Sequence, residues 1–84
     1  MYFVYVIKSC NRAKSYIGVT SNLERRLKQH NAGLVKSTSF AAPYELLHYE
    51  KYEDCQLAMK RERFLKTGKG RKVLENLMKG PATE

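Results

Sequence analysis

Tyr2–Thr20 reads YFVYVIKSCNRAKSYIGVT, and this stretch decides the fold. Its first part, Tyr2–Lys8, is aromatic or β-branched up to the final lysine. No polar residue alternates with the apolar ones, which predicts a strand buried on both faces. Ser9–Lys14 is a polar connection. Ser15–Thr20 reads as a second short strand, and the spacing suits a hairpin. Gly18 inside that strand predicts a close approach of another group to the backbone.

The elements that follow are shorter of signal but ordered. Ser21-Asn22-Leu23-Glu24 fits a capping box, with Ser21 as N-cap and Glu24 reaching back. It opens a helix over about 22–31 that ends before Gly33. Leu23, Leu27 and Leu34 are its expected packing residues. Gly33–Ala42 is a polar loop, and Pro43 opens a third strand, Tyr44–Lys51, with Leu46 and His48 on one face and Leu47 and Tyr49 on the other. Asp54 caps a helix over 55–66 that stops at Thr67-Gly68. A last helix, about 71–79, is closed by Gly80-Pro81, and residues 81–84 are expected to fray. The order β-β-α-β-α-α predicts a single α+β domain over residues 1–80, a three-stranded, mainly antiparallel sheet flanked by helices.

At 84 residues the chain buries only roughly 60% of its unfolded surface, so each element must contribute to a small core. Hydrophobic residues make up 43% and charged ones 29%, a globular rather than a disordered balance. No apolar run nears the roughly 20 residues of a membrane span, and Met1–Ile7 carries no basic n-region, so the expected location is the cytoplasm. Two cysteines and two histidines are too few for a disulfide framework, a zinc site or a histidine cage.

Charge points to a partner. The formal net charge is +8. Lys8–Lys36 holds seven basic residues against Glu24, and Gln56–Gly80 holds eight against Glu62 and Glu75. Between them Ser37–Cys55 is acidic. Two basic blocks on a small domain suit a polyanion, in the first place nucleic acid; a merely solvated basic surface is the plainer account.

Several polar side chains fall where a helix should be apolar. Cys55, Ala58, Glu62 and Leu65 share one stripe at 3.6 residues per turn, so Glu62 points inward. An inward carboxylate is costly unless it is paired or metal-bound. The plainer account is a salt bridge, or an edge position shielded by Arg61 or Lys66. Arg26 and His30, at i and i+4, stack on one face, where a guanidinium and an imidazole could grip a phosphate. The plainer account is an arginine stem lying on apolar surface. Tyr5 and Tyr16 lie in adjacent strands, and a buried tyrosine needs a partner for its hydroxyl. Either could accept a proton if nearby cations lowered its pKa.

Val4-Tyr5-Val6, then Tyr16-Ile17-Gly18, Asn22-Leu23, Arg26 and His30-Asn31, and finally Glu62 in AMKRERFLKTGKGR form an ordered set. The set resembles the GIY-YIG nuclease domain, in particular its small stand-alone members, from about Tyr2 to Met78. The resemblance implies a DNA endonuclease that hydrolyses phosphodiester bonds with one divalent metal ion, Mg2+ or Mn2+, and with no organic cofactor. It implies Glu62 as the metal ligand, Arg26 on the scissile phosphate, Tyr5 and Tyr16 lining the site, and His30 at a position that is often His or Tyr. Phe3 and Val4 replace the Gly and Ile of the first motif, and Val19 stands where some relatives carry lysine. Lys14, across the hairpin, is a weak candidate to substitute for it. Asn76 is a poor match to an asparagine of larger relatives.

Bottom-up chemistry is consistent with these roles. In-line attack by water builds negative charge on the phosphate and the leaving oxygen, and cations flanking that charge are the main requirement. Lys14, Arg25, Lys28, Lys36, Lys66, Lys69, Arg71 and Lys72 are the expected phosphate contacts of a largely sequence-independent DNA complex, branched and nicked forms included. With no second domain in view, specificity falls to this domain or to a partner protein, or is absent. Two other classes compete: a non-catalytic nucleic-acid-binding module on the same fold, and a protein-interaction domain with a basic surface. The latter would need an exposed apolar patch.

Overall fold

The structure, a computed structural model, describes residues 1–79; Gly80-Pro81 and the expected fraying of 81–84 lie outside the described residues. Its elements are β1 (Tyr2–Ser9), β2 (Ser15–Thr20), α1 (Leu23–Asn31), β3 (Tyr44–Tyr52), α2 (Cys55–Leu65) and α3 (Gly68–Lys79), with a single 3-10 turn at Ser39–Ala41. The three strands form one antiparallel sheet in the order β2-β1-β3. The fold is α+β in the expected order β-β-α-β-α-α. Among the described residues no helix is long and apolar enough to cross a membrane.

β1 is the central strand, which explains its unbroken apolar sequence: Val4, Tyr5, Val6 and Ile7 are all buried. Its two faces serve two cores. Val4 and Val6 pack with Ala58, Leu65 and Leu74 of α2 and α3. Tyr5 and Ile7 pack with Ala41 and Tyr44, roofed by Leu23 and Leu27 of α1. The helices α1 and α2 therefore lie on opposite faces of the sheet.

The local signals differ from expectation at four places. The first helix is capped by Asn22, whose Oδ1 accepts from Arg25 N–H at 3.0 Å, and not by Ser21 with Glu24. The Thr20 hydroxyl takes the Asn22 N–H at 3.1 Å, a donor that a cap at Ser21 would have left to the helix. Leu34 is 74% exposed, because α1 ends at Asn31 and Gly33, at φ 73°, turns the chain away. In β3 the register shifts between Val6 and Ile7: Leu46 pairs with Ile7 and His48 with Val6. Leu47 is the extra residue, so Leu46 and His48 fall on opposite faces rather than together. Finally, α3 begins at Gly68, not Arg71. The Thr67 hydroxyl accepts from Gly70 N–H at 3.1 Å, so the expected stop is a start. A Cβ at Gly70 would overlap the Phe64 carbonyl, so α3 crosses α2 at its backbone.

Candidate active site

The site is built around the bare backbone of Gly18. Gly18 pairs with Tyr5 across the β1–β2 ladder. A Cβ on Gly18 would lie 2.6 Å from Tyr5 Oη and 2.9 Å from a ring carbon of Tyr16, so only glycine lets both tyrosines close over the strand. A cavity of about 380 Å³ opens there, walled by Tyr5, Tyr16, Gly18, Ser21, Arg26 and Glu62 among others. Arg26 comes from α1 and Glu62 from α2. They meet beside the edge strand β2, from opposite faces of the sheet.

Tyr5 is 1% exposed and its hydroxyl is fully engaged. It accepts from Arg26 Nε–H at 3.4 Å and lies 2.8 Å from His30 Nε2. A guanidinium has no acceptor, so the Tyr5 proton has one place to go, His30 Nε2. That choice sets the rest. His30 then carries its proton on Nδ1 and donates to Thr38 Oγ1 at 2.8 Å, and Thr38 Oγ1 donates to the Val35 carbonyl at 3.3 Å. The chain from Arg26 to Val35 is satisfied at every atom, and no buried side-chain polar atom among the described residues lacks a partner.

This geometry corrects the reading of His30 as a phosphate grip. His30 is 0% exposed and both ring nitrogens are used, by Tyr5 and Thr38, so the imidazole offers no free nitrogen to a phosphate. Burial, with a smaller push from the Arg26 charge, holds its pKa below the ordinary value and keeps it neutral. Tyr5 is shifted the other way from an activated phenol. Burial raises its pKa, and the Arg26 hydrogen bond offsets only part of that. Arg26 is held protonated by its hydrogen bond to Tyr5, with lesser contributions from Tyr16.

Tyr16 is half-buried and walls two cavities. The second, of about 460 Å³, runs from Tyr16 to Lys66 and Arg71, with Glu75 on its rim. Of the eight expected phosphate contacts these two border the site. Lys14, Arg25, Lys28, Lys36, Lys69 and Lys72 are exposed and line neither cavity.

The Glu62 side chain is 21% exposed and bonded to Lys66 Nζ at 3.0 Å. Arg61, the other partner considered, pairs instead with Glu50 through Nε at 2.9 Å and a terminal nitrogen at 3.1 Å. No group of three His, Cys, Asp or Glu side chains able to hold a metal occurs among the described residues. A lone carboxylate on an open cavity fits a hard divalent cation that keeps most of its water, and does not fit zinc.

The GIY-YIG catalytic domain family model matches residues 1–76, a span that includes every side chain of the cavity. The chain is a member of the GIY-YIG domain family. It is 40% identical over 67 residues to a UPF0213 protein of Natronomonas pharaonis, covering 79% of this chain and 78% of that one. A UPF0213 protein of Staphylococcus epidermidis is 34% identical over 80 residues, covering 94% and 96%. The solution structure of the UPF0213 protein BH0048 from Bacillus halodurans superposes with a TM-score of 0.57 at 27% identity, covering 96% of this chain and 88% of that one. UPF0213 proteins are thus its relatives in both sequence and structure.

Thr38 is the site-building residue that the sequence did not disclose. It lies in a polar loop with no periodicity, between Ser37 and Ser39, and nothing local marks it. Its position comes from tertiary bonds, including the Tyr44 hydroxyl, which donates to the Thr38 carbonyl at 2.9 Å.

Proposed function

We propose that this protein is a metal-dependent nuclease that hydrolyses phosphodiester bonds in DNA at the Gly18 cavity. The observation that carries this is the pairing of Arg26 with Glu62 across that cavity, next to two tyrosines. A pure binding surface for a polyanion gains nothing from a carboxylate in its middle. A hydrolase gains a cation site.

Arg26 binds the scissile phosphate and stabilises the charge that grows on it in the transition state. Its Nε is held by Tyr5 and its Nη1 donates to Gln29 Oε1 at 3.3 Å, which fixes the plane of the guanidinium and leaves Nη2 for the substrate. Glu62 would hold one Mg2+ or Mn2+, and Lys66 would leave it for the phosphate backbone. Such an ion supplies a second positive charge and acidifies the water around it. Tyr16 orients the attacking water, because the Tyr5 hydroxyl is committed to His30 and its proton is held more tightly than usual. Tyr5 and His30 act as the rigid support of Arg26.

One observation favours a second reading, a binding module that does not cut: the Lys66 ammonium already neutralises Glu62. Incubation of the purified protein with duplex, nicked, branched and single-stranded DNA, and with RNA, separates the two. Cleavage that needs Mg2+ or Mn2+ and stops on chelation is the expected result. Binding without cleavage of any substrate under either metal would establish the module instead.

A further inference from the structure

A third cavity, of about 470 Å³, lies between α1 and β3 and is not used by the chemistry above. Its floor is Phe3, Leu23 and Leu27, and its wall is Tyr49 with Lys51. Phe3 and Tyr49 form a tilted aromatic pair, ring centroids 6.1 Å apart at 56°. Tyr49 is 49% exposed although it pairs with Tyr5 on the sheet. The bulge at Leu47 turns Tyr49 to the α1 face. The buried part of that face, from Tyr5 to Tyr44, is roofed by Leu23 and Leu27 and by Ala41, and the roof stops short of Tyr49.

We propose that this groove is a subsite for an unpaired nucleobase, so that the substrate carries a single-stranded segment beside the cut. The inference rests on the reading of the adjoining cavity as a nucleic-acid site. Two observations set the occupant. First, the groove adjoins that cavity: Ser21 lines both. A strand whose phosphate lies on Arg26 can pass Ser21 and bring a neighbouring base to Tyr49. Second, the chemistry matches. Exposed aromatic faces stack any base, each stacking contact being worth about 1–3 kcal/mol, and Lys51, the register partner of Phe3, offers a cation for the attached phosphate. Glu24, on the opposite rim, repels phosphate and confines the backbone to the Lys51 side. A base inside a duplex is paired and stacked already, so it cannot enter without leaving the helix. The substrate path thus runs from the Lys66–Arg71 groove, through the Gly18 cavity, to an aromatic seat for one extruded or unpaired base.

The chain contains no tryptophan, so Tyr49→Trp installs a single fluorescent reporter in the groove. The variant is titrated in EDTA, where cleavage is not required, with a single-stranded oligonucleotide of about eight residues and with a blunt duplex of the same sequence. Saturable quenching by the single strand, at concentrations at least tenfold below those needed for the duplex, is the expected result. No quenching, or equal quenching by both, overturns the subsite. Tyr49→Ala should weaken single-strand binding roughly fivefold to a hundredfold and leave duplex binding unchanged, while Tyr49→Phe retains both. Loss of nuclease activity in the wild type would sink the hydrolase and leave this result standing, so the two failures are distinguishable.

Discussion

The Tyr5 hydroxyl donates to His30 Nε2 at 2.8 Å, and the two residues are 1% and 0% exposed. This pair joins the central strand to α1 with a polar bond inside an otherwise apolar layer. Buried polar groups of this kind are tolerated only when every donor and acceptor is matched, and here each one is. The consequence for function is rigidity. Arg26, bonded to the same hydroxyl, is presented to the cavity in one orientation.

Thr38→Val tests that chain. It removes the acceptor of His30 Nδ1–H and strands a buried donor, a loss of about 1–3 kcal/mol. Thr38→Ser keeps the hydroxyl and should restore most of it. Nitrogen-15 NMR of the imidazole should find the proton on Nδ1 in the wild type and in the serine variant. A wild-type ring protonated on Nε2 would refute the direction assigned to the chain.

Gly18→Ala should lower stability by roughly 1–3 kcal/mol, because the new methyl group overlaps a tyrosine hydroxyl that cannot swing aside. Denaturant unfolding measures it. A neutral result would mean that Tyr5 is not pinned as described.

Acid stability should depend on Glu50. Burial pushes this carboxyl up, but hydrogen bonds from Arg61, His48 and Tyr52 outweigh it and hold the pKa at about 2, against an ordinary 4.5. A depressed carboxyl stabilises the fold at pH values above its unfolded pKa, and that contribution is lost as pH falls through the folded one. The side chain is only 17% exposed, so the full contribution is about 3 kcal/mol, lost between about pH 4.5 and pH 2. Glu50→Gln should flatten the melting-temperature profile over that interval. A variant profile parallel to the wild type would contradict the network.

DNA affinity should fall steeply with salt, since each neutralised phosphate releases a counterion. Arg71→Ala should lower the slope of log K against log salt by about 1. An unchanged slope would take the Lys66–Arg71 groove off the DNA path.

The architecture was legible because Tyr2–Ile7 has one reading, a central strand, and because Asp54 and Gly33 mark helix ends by local chemistry. Several misreadings depend on a contact made at a distance, whereas the shift of the first cap from Ser21 to Asn22 is local, set by Thr20 and Arg25. Leu47 looks like any strand residue until its partner Val6–Ile7 step is known. Gly68-Lys69-Gly70 looks like a linker until Phe64 is found against Gly70. Leu34 and His30 exchange the places that hydrophobicity assigns them, because the tyrosine hydroxyl beneath α1 needs an imidazole. Arg26 and Glu62 were singled out from helical spacing, but their meeting at the edge of β2 follows from helices on opposite faces, which no local pattern encodes.

The central claim is that Glu62 serves a cation in catalysis, and Glu62→Gln tests it most directly. The Lys66–Glu62 contact is a half-exposed i,i+4 pair, worth only about 0.3–0.5 kcal/mol, so the melting temperature should barely move. Metal-dependent cleavage should fall by on the order of 10² or more, the usual cost of losing one transition-state stabiliser. DNA binding should persist or tighten, because a negative charge has left the site. All three quantities are measured on the same variant, in the same buffer, with Mg2+ or Mn2+ in excess. A folded variant that cuts at the wild-type rate would remove Glu62 from the mechanism and contradict the account.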